Sequence, residues 1–415
     1  MPASRTTIAD SSWTTGEKSC DVLILGGGPA GMMAGLLFAR AGLDTVVVEK
    51  HRDFLRDFRG DTVHPSTLQL IHELGLLDAL LARPHNKVET IGARIGGQPV
   101  EIVDFRHLPV AAPFIALMPQ WDFLDFVADA ARRYPTFRLV QGCEAETLVE
   151  ADGRVAGARM QGGETIAARL TIASDGRDSR FCSGLPATTI GAPMDVFWFR
   201  IPKAPAREND SMGVFDAGRI FVLIDRGDYW QCAFVFAKGT AETVHSEGFD
   251  AFVARVLAVG PETARATEGL RSWDDVKLLT VTVDRLERWH RPGLLVIGDA
   301  AHAMSPIGGV GINLAIQDAV AAANLLAAPM RAGEDIDPLL HRVRDRRHRA
   351  VQLTQRMQRL VQDRVIAPML SREDAVSGAP AFARLLDRIP MLRRIPARII
   401  GLGFRPEHIQ SPEAR

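Results

Sequence analysis

Residues 21–50 read DVLILGGGPAGMMAGLLFARAGLDTVVVEK, a pattern that predicts a strand, a glycine-rich turn, a helix and a second strand. The apolar run at 22–25 is short and ends in glycine, as expected of a strand buried on both faces of a parallel sheet. Gly26, Gly28 and Gly31 follow in G-x-G-x-x-G spacing. In that spacing the first glycine permits the tight turn, the second lets the backbone approach a pyrophosphate, and the third lets the helix pack against the strand. The stretch therefore predicts a dinucleotide-binding βαβ unit.

The acid at the end of this unit strengthens the prediction. The predicted helix covers 29–41, and the second strand, at 45–48, leads to Glu49, which stands 18 residues after Gly31. A carboxylate at this place can accept a hydrogen bond from a ribose hydroxyl, while the phosphates lie on the N-terminus of the helix. The alternative, a glycine-rich loop without a nucleotide, would not require a strand on each side or an acid at the position of Glu49. Pro29 and Ala30 in the turn, and Lys50 after the acid, complete the predicted nucleotide site.

Composition limits the class of protein. The 415 residues carry a net charge of −1, with 24% charged residues, which describes a globular chain long enough for two packed domains. The chain has no excess of basic residues, so its composition does not indicate a nucleic-acid partner. The four cysteines are scattered, with no C-x-x-C and no histidine at metal-ligand spacing, so we expect a reduced, cytoplasmic protein without a metal site. The N-terminus is polar and no run of about 18 apolar residues occurs, which argues against secretion and membrane spanning.

A charged loop, HRDFLRDFRGD at 51–61, follows the nucleotide unit and precedes a helix predicted to begin near Pro65. Arg59 in this loop is either part of a solvated face or the cationic partner that a pyrophosphate needs, because the glycine backbone carries no charge. His64 directly precedes the helix, and we interpret it as a helix-entry residue rather than a catalytic base.

Strand patterns dominate two further regions, 88–103 and 190–283, and predict a second, antiparallel sheet. Aromatic residues are concentrated in the second region. Each alone is expected in the core, but as a group they favour a flat, apolar ligand. They are Phe197, Trp198, Phe199, Phe221, Tyr229, Trp230, Phe234 and Phe236.

Side chains alternate along the strand at 229–236, so only one of two sets can face a ligand. The sets are Tyr229, Gln231, Ala233 and Val235, or Trp230, Cys232, Phe234 and Phe236. We favour the first set on the ligand side, because the larger apolar set suits the packed side and Tyr229 with Gln231 supplies polar anchors.

A third informative stretch, GLLVIGDAAHAMSPIGGVGINLAIQDAVAAANLLA at 293–327, predicts a ligand crevice. A buried strand at 294–297 ends in Gly298 and Asp299, and three glycines then open an alanine-rich helix. Asp299 can accept hydrogen bonds from polyol hydroxyls, and free N–H groups at the helix start can stabilise an anion. A purely structural strand-turn-helix stays open as the alternative. No further G-x-G-x-x-G follows a strand, so a second nucleotide would bind weakly, without its own βαβ domain.

Three motifs, in this order, carry a resemblance to a known family. They are GGGPAG at 26–31 with Glu49, the Asp175-Gly176 turn after a buried strand, and GDAAHAMSPIGGVGIN at 298–313. The chain resembles the FAD-dependent monooxygenases of the single-component aromatic hydroxylase group, which have the para-hydroxybenzoate hydroxylase fold. The resemblance implies an α/β fold, with a FAD-binding Rossmann-like domain, an interleaved antiparallel-sheet substrate domain and C-terminal helices.

The same resemblance suggests domain boundaries. We expect a flexible tail at 1–19 and a discontinuous FAD-binding domain at 20–87, 110–185 and 284–330. The substrate domain would take up 88–109 and 186–283. Residues 331–415 would form a C-terminal helical region, in which the segment IPMLRRIPARIIGLGF at 389–404 is interpreted as packing on its own protein or on a second subunit rather than on a membrane surface.

Residue roles also follow from the resemblance. It implies that Glu49 binds the adenosine ribose, that Arg59 and Gln120 contact the FAD phosphates and ribityl chain, and that Asp299 holds a ribityl hydroxyl. Gly311, Ile312 and Asn313 would face the flavin pyrimidine ring. Asp175 would lie beside both FAD and the incoming nicotinamide nucleotide, and Pro306 would shape the reaction side of the flavin.

The sequence departs from the family pattern in two places. The family commonly places an arginine three residues after the serine of its Asp-Gly motif, but here that place is Cys182, and arginine stands at 180. The paired catalytic tyrosines of phenol-hydroxylating relatives are also missing, since the chain has only Tyr134 and Tyr229. Tyr229 and Asp61 are the two candidates for a group that accepts a substrate proton.

The function implied is oxygen insertion with FAD as cofactor and NAD(P)H as a transient co-substrate. Reduced FAD would react with O2 to a C4a-hydroperoxide, which hydroxylates a mostly apolar, aromatic small molecule; a small dicarboxylate should not be a substrate. One alternative is a flavoenzyme of the same fold that inserts no oxygen, a reductase or a halogenase, although no halogenase-like W-x-W-x-I-P occurs. Another is a cofactor-free scaffold like the Rab escort proteins, which would have no use for both Glu49 and Asp299. A homodimer is compatible with all of these readings.

Overall fold

The computed structural model describes residues 18–55, 61–202, 212–216, 218–226, 229–259, 269–371 and 381–414. The strands in this part of the chain are β1 Lys18–Leu25, β2 Thr45–Glu49, β3 Thr62–Val63, β4 Asn86–Val88, β5 Thr90–Ile95, β6 Gln98–Asp104, β7 Ile115–Leu117, β8 Phe137–Gln141, β9 Ala145–Ala151, β10 Arg154–Met160, β11 Thr165–Ala173, β12 Ala187–Thr189, β13 Met194–Pro202, β14 Met212–Asp216, β15 Arg219–Asp225, β16 Tyr229–Ala237, β17 Lys277–Leu279, β18 Asp284–Leu286, β19 His290–Arg291 and β20 Leu294–Val296.

The α-helices follow the same chain order. They are α1 Pro29–Arg40, α2 Pro65–Glu73, α3 Leu77–Leu81, α4 Gln120–Ala131, α5 Ala241–Ser246, α6 Phe249–Val259, α7 Gly311–Arg331, α8 Leu340–Val361, α9 Ala367–Leu370, α10 Ala381–Arg388 and α11 Arg394–Gly401. A short π-helical stretch, Gln362–Ile366, joins α8 to α9.

The predicted βαβ unit forms at the N-terminus as β1, α1 and β2. The helix ends at Arg40, one residue earlier than predicted. The first strand begins at Lys18, so residues 18 and 19 lie in the sheet rather than in the predicted tail. The rest of that tail, residues 1–17, lies outside the described residues.

The central sheet has the strand order β19-β20-β11-β1-β2-β8, and the meander of β9 and β10 extends it from β11. Strands β20, β11, β1, β2 and β8 pair in parallel. Parallel strands bring their carboxyl ends to one edge of the sheet, where ligands of open α/β sheets bind. The glycine turn after β1, Glu49 on β2, Asp175 after β11 and Asp299 after β20 therefore come together at this edge.

Helices and a meander cover the two faces of this sheet. Helices α1, α4 and α7 contribute side chains to the core cluster on one face, and the meander, Trp289 and residues near Met304 contribute to the cluster on the other. The stretch 307–331, which includes α7, is long and apolar enough to cross a membrane, but 78% of its most apolar window is buried inside the protein. It is the core helix of the domain, because α1 and α8 pack against α7.

A second sheet has the order β17-β13-β16-β15-β14-β5-β6. Its neighbouring strands are antiparallel except for β14 and β5. Strands β5 and β6 come from residues 90–104 and the other five from residues 194–279, so the chain enters this sheet twice. Two small sheets, β3-β7-β4 and β12-β18, lie between the two large ones along the chain.

The C-terminal region is only partly helical. Most described residues between Arg331 and Gly401 are helical, but residues 403–414 form no helix or strand. This last stretch runs back over the nucleotide unit, where the N–H of Ala414 donates to the carbonyl of Arg40 over 2.8 Å and Arg40 donates to the carbonyl of Ser411 over 2.9 Å. The prediction of helices throughout 331–415 was therefore wrong for its final residues, which are held by partners far away in sequence.

Candidate cofactor and substrate site

The glycine turn after β1 is shaped by three different steric demands. Gly26 has φ +107°, and a Cβ there would lie 2.6 Å from the carbonyl oxygen of Ser174. A Cβ on Gly31 would collide with the carbonyl of Gly26. Around Gly28, by contrast, no atom of another described residue beyond its chain neighbours lies within 4 Å of the position that a Cβ would take. Gly26 and Gly31 are therefore needed by the protein itself, whereas the described residues leave the space beside Gly28 open.

Glu49 lies beside this turn and is 5% exposed. Its carboxylate accepts from the N–H of Gly27 over 2.8 Å and from the N–H of His51 over 3.0 Å. These two bonds fix the orientation of the carboxylate beside the glycine turn. Lys50 is exposed next to it. Arg59 lies outside the described residues.

Asp299 and the Asp175-Gly176 turn are joined by an arginine that the sequence did not single out. The Nε of Arg177 lies 3.1 Å from Asp299 Oδ2, and its Nη2 donates to the carbonyl of Met304 over 3.3 Å. Its Nη1 is buried without an acceptor among the described residues. The guanidinium thus holds the carboxylate of Asp299 at the crevice and keeps a spare donor there.

The acidic turn itself is partly buried. Burial raises the pKa of the Asp175 carboxyl above its usual value. Arg180, whose local role the sequence left open, points to Glu144, with its Nη2 2.8 Å from the carboxylate. It therefore does not replace the arginine that the family places three residues after the serine.

The start of α7 presents backbone donors to the same edge. Gly308 and Gly309 have φ of +77° and +63° and form the tight turn after Pro306, whose carbonyl accepts from the N–H of Gly309 over 3.0 Å. Gly311 and Ile312 are the first helical residues, so their N–H groups have no acceptor within the helix. These free donors and the positive end of the helix dipole suit an anionic group.

Asn313 is used by the protein rather than by a ligand. Its Oδ1 accepts from the N–H of His64 over 3.2 Å and from the hydroxyl of Thr67 over 2.7 Å. The side chain is 3% exposed. Only the backbone of Asn313 is thus available to face a flavin, and its side chain joins α7 to the start of α2.

His64 precedes the first residue of α2, which confirms its interpretation as a helix-entry residue. The imidazole is fully buried, and its Nδ1 lies 2.8 Å from the carbonyl of Ile400 on α11. Burial lowers the pKa of His64 to about 4. Its Nε2 has no partner among the described residues, and a Cβ on Gly309 would lie 3.5 Å from it. A neutral imidazole therefore bridges the C-terminal helix and the glycine turn.

A buried ion pair joins the nucleotide-binding part to the second sheet. Arg226 Nη2 lies 2.7 Å from Asp61 Oδ2, and the side chains are 4% and 10% exposed. Arg226 also donates to Gln231 Oε1 over 2.9 and 2.7 Å, and the N–H of Gln120 donates to Asp61 over 3.1 Å. Burial raises the pKa of Asp61, and the attraction of Arg226 limits that rise. Asp61 and Gln120, both predicted site residues, are thus neighbours.

The two faces of the second sheet have different partners. Phe197, Phe199, Phe221, Trp230, Phe234 and Phe236 belong to one cluster with Phe252 and Val256 of α6. The expectation that each of these six residues alone lies in the core is confirmed, because α6 covers their face, so these six do not supply the flat, apolar ligand surface that the group suggested. Of the eight, Trp198 and Tyr229 belong to the alternate positions.

The opposite face contains the favoured set of the alternating strand. Ala233 and Val235 on β16 pack in one cluster with Val196 on β13 and with Ile307, which follows Pro306 in the glycine turn. Ile366 of the π-helical stretch and Met369 of α9 belong to the same cluster, so α9 covers part of this face at β15 and β16. Gln231 is part of the Asp61 ion-pair network at one end of the same face. The prediction that the larger apolar set packs away from this face is confirmed. The smaller set faces the nucleotide-binding part of the chain.

A second buried cluster was missed at the sequence level. His302 Nε2 lies 2.5 Å from Asp318 Oδ2, and Arg347 Nε lies 3.0 Å from Asp318 Oδ1. The N–H of Gly298 also donates to Asp318 over 3.2 Å. Although burial alone would raise it, His302 and Arg347 hold the pKa of Asp318 below its usual value. A signal was present, because Asp318 is the one acid within the apolar helix α7, and a buried acid requires partners.

The residues at this edge fit FAD. An open space lies beside Gly28, a fixed carboxylate stands at the end of β2, and backbone donors begin α7. A sequence profile described as the FAD binding domain matches residues 19–357. The chain belongs to the family of FAD-dependent monooxygenases. A 6-methylpretetramide 4-monooxygenase from Streptomyces rimosus is 33% identical to this monooxygenase over 390 residues, which cover 91% of each chain.

Two further comparisons place the monooxygenase in its fold family. A dialkyldecalin synthase from Streptomyces rugosporus is 26% identical over 344 residues, or 79% of this chain and 69% of its own. The crystal structure of PqsL, a probable FAD-dependent monooxygenase from Pseudomonas aeruginosa, has a TM-score of 0.73 and 21% identity, and the match covers 86% of this chain and 98% of that one. At that identity the likeness shows the fold, which is the α/β class expected from the motifs.

Proposed function

We propose that this monooxygenase uses NAD(P)H and O2 to hydroxylate a planar, mostly apolar aromatic molecule with several fused rings. The observation that carries the proposal is the aliphatic face of the second sheet opposite α6, which α9 covers in part, which meets the glycine turn at Ile307, and which ends in the polar network of Asp61, Arg226 and Gln231. When bound, FAD would supply the redox chemistry, being reduced by NAD(P)H and transferring oxygen as its C4a-hydroperoxide. One oxygen atom of O2 would enter the substrate and the other would leave as water, with NAD(P)H providing the two electrons.

The chain's own residues would hold the cofactor by position and charge. We assign the adenosine ribose to Glu49 and the pyrophosphate to the turn at Gly26, Gly28 and Gly31. A ribityl hydroxyl is assigned to Asp299 and the flavin pyrimidine ring to the backbone at 311–313. Gln120 and Asp175 would border the same crevice. Pro29, Ala30 and Lys50 stay in the proposed set as flanking residues of the nucleotide turn, and so does Arg59.

The shape of the sheet suggests the substrate class. Across β13, β16 and β15, Trp198 pairs with Ala233, and Ala233 pairs with Val222. Neighbouring strands lie about 4.8 Å apart, so three of them span about 10 Å, and the part of this surface that α9 leaves uncovered would form the substrate floor. A floor of this width suits fused rings better than a single ring. The relative from Streptomyces rimosus acts, by its name, on 6-methylpretetramide.

Polar groups on this face would orient the substrate. The indole Nε1 of Trp198 is buried without an acceptor among the described residues, and an apolar face that keeps such a donor is suited to bind a carbonyl or phenolic oxygen. Tyr229 is the first residue of β16, and the guanidinium of Arg200 lies 5.0 Å from its ring centre. We assign proton acceptance from a phenol to Tyr229 or Asp61, and the shaping of the reaction side to Pro306.

The decisive experiment combines cofactor, electron and oxygen measurements. Purified protein should be yellow, bind FAD noncovalently in about a one-to-one ratio, and oxidise NADH or NADPH faster when hydroxyanthraquinones are added. Under oxygen-18 gas the product should carry one labelled atom. Succinate, as a dicarboxylate control, should not stimulate oxidation. Protein that stays colourless after incubation with FAD would contradict the cofactor assignment, and hydrogen peroxide without any labelled product from fused-ring phenols would contradict hydroxylation.

A second candidate is a flavoenzyme of this fold that inserts no oxygen. The similarity to a dialkyldecalin synthase supports this candidate, because the match covers 79% of this chain and the name of that relative does not describe an oxygenation. The same labelling experiment separates the two, because a product of unchanged oxygen content would favour the second candidate. We further propose a cytoplasmic location, and a small-molecule substrate with O2 as the reaction partners.

A further inference from the structure

The helical segment 381–401 has an inner face that packs on its own protein, as the sequence analysis expected. Ala383 and Ala397 are fully buried. Gly401 lies so close to Phe105 and Leu108, after strand β6, that a Cβ on it would lie 2.7 Å from the Leu108 side chain. Arg393 Nη1 lies 3.2 Å from Glu101 on β6. The segment is thus fixed to the edge of the second sheet.

The outer face of the same segment is apolar and exposed. In the described part of the chain seven large hydrophobic side chains are exposed, and four of them lie within residues 385–395. They are Leu385, Ile389, Met391 and Ile395, at 48%, 44%, 67% and 59% exposure. Single exposed apolar residues are ordinary, but a cluster of four marks a surface that another body covers.

The charges between these apolar side chains have one sign. Residues 381–401 contain five arginines and one aspartate, a net charge of +4, so the remaining residues carry −5 of the chain's total of −1. Arg384, Arg388, Arg394 and Arg398 are exposed beside the apolar cluster. The chain as a whole shows no basic excess, so this concentration is local.

We propose that this outer face, residues 384–398, docks on an anionic lipid surface. Arginines that alternate with exposed leucine, isoleucine and methionine on short amphipathic helices are the pattern of a segment that lies in a membrane interface. The arginines complement anionic headgroups, each adding about fivefold to partitioning near such a surface. The apolar side chains enter the boundary with the acyl chains, which accommodate a convex helix surface without a matching pocket.

A second copy of the chain fits this face less well. In a twofold dimer the same patch meets itself, so the four exposed arginines of one copy would face those of the other. Like charges opposed across an interface cost several kcal/mol in the general case. An acidic protein would satisfy the charges but would need pockets that match four protruding apolar side chains.

The test uses the FAD-loaded protein and vesicles of defined composition. Binding is measured by co-sedimentation with phosphatidylcholine vesicles that contain or lack phosphatidylglycerol. Wild type should bind only the phosphatidylglycerol vesicles, and added salt should weaken binding. The double variant Arg384→Glu with Arg394→Glu, and the double variant Met391→Ser with Ile395→Ser, should each lower the partition coefficient by tenfold or more.

A matched control lies at the opposite edge of the same sheet. Leu278 on β17 is 47% exposed, and Leu278→Asp should leave vesicle binding unchanged. FAD content and NAD(P)H oxidation report on the proposed function separately, and all these variants should keep both. Absence of binding to phosphatidylglycerol vesicles, or equal binding by both double variants and wild type, would overturn the proposal. So would a wild-type dimer in sedimentation that becomes monomeric in Met391→Ser with Ile395→Ser, because the patch would then be a self-interface.

Discussion

At the residue scale, the glycine turn separates what the protein needs from what a ligand needs. Gly31 is required for close packing, because a Cβ would meet the carbonyl of Gly26. Gly28 has φ −73°, a value that any residue adopts, and no described residue beyond its chain neighbours lies near its missing Cβ. Within the described part of the chain nothing therefore forbids a side chain at residue 28. The proposed function gives the reason for glycine there, because a ligand phosphate would take that space.

Gly28→Ala should consequently affect FAD and spare the fold. We expect the free energy of unfolding of the FAD-free protein to stay the same or to rise by about 0.4–1 kcal/mol, since alanine restricts the unfolded chain. FAD affinity should fall by about tenfold or more, equivalent to ~1.4 kcal/mol, because the methyl group occupies the phosphate space. Gly31→Ala is the contrasting control and should destabilise the protein itself. Unchanged FAD affinity in Gly28→Ala, measured by flavin fluorescence titration, would show that the pyrophosphate binds elsewhere.

Glu49 offers a second residue-scale prediction. Hydrogen bonds to a charged group contribute about 1.5–3 kcal/mol, so loss of the ribose contact in Glu49→Ala should weaken FAD binding by roughly ten- to a hundredfold. Glu49→Gln keeps the shape and an acceptor oxygen and should lose less. Equal FAD affinity in wild type and Glu49→Ala would mean that the acid has a role within the protein and does not bind the ribose.

His64 predicts a pH dependence of stability. Its pKa is lowered by burial to about 4, below the ordinary histidine value of 6.5, so the unfolded state takes up the proton first as the pH falls. Stability should be fully present above pH 6.5 and be lost progressively between 6.5 and 4, by an amount on the order of 3 kcal/mol. His64→Gln should remove this slope. The check is the urea midpoint of both proteins across the pH range, and parallel curves would contradict a neutral buried imidazole.

At the scale of the element, the alternation along β16 assigns each side chain to one of two environments. Phe234 packs edge-on against Phe252 of α6, with ring centres 5.7 Å apart. The next positions on either side belong to the face that meets Ile307. One strand therefore contributes both to a hydrophobic core and to the proposed substrate floor, and substitutions one residue apart should have different consequences.

Phe234→Ala and Tyr229→Phe test this division. Phe234→Ala should lower the free energy of unfolding by about 3–5 kcal/mol, as for a buried phenylalanine, while retaining the kinetics of the folded fraction. Tyr229→Phe should keep stability and FAD content but lower turnover by about tenfold, equivalent to one lost hydrogen bond of ~1.4 kcal/mol. If Tyr229→Phe is kinetically silent and Trp230 substitutions change which aromatics are accepted, the assignment of faces is inverted.

At the scale of the whole molecule, the C-terminal stretch connects parts that are distant in sequence. Glu407 lies 2.6 Å from Arg346 Nη2 and 3.6 Å from Arg347 Nη1 on α8, and Arg347 continues to Asp318 in the core of the first domain. On the other side, Ile400 accepts from His64. The stretch after α11 thus stabilises α7, the helix that begins after the glycine turn at Gly308 and Gly309.

Glu407→Gln should therefore destabilise the whole protein. We expect a loss of about 2–3 kcal/mol, below the roughly 3–5 kcal/mol of a fully buried pair because Arg346 reaches solvent. Glu413→Gln removes a surface partner of Arg40 and should cost at most ~0.5 kcal/mol. Thermal unfolding of the two variants checks the difference. Equal melting temperatures would show that Glu407 contributes no more than a surface charge.

By itself the sequence determined the nucleotide unit, the second sheet and the fold family. These features depend on local patterns: the glycines at 26, 28 and 31, the acid at 49, and strands whose apolar residues must be buried. Tertiary structure decided which groups meet. Arg226 pairs with Asp61, and Arg177 pairs with Asp299, each across more than a hundred residues of sequence. Helix α6 covers the aromatic face of the second sheet. The final residues, 403–414, are held by Arg40 and Arg346 rather than by helical hydrogen bonds. Such pairings depend on how the elements pack in space. A single sequence shows which residues are charged, but it does not show which of them are neighbours.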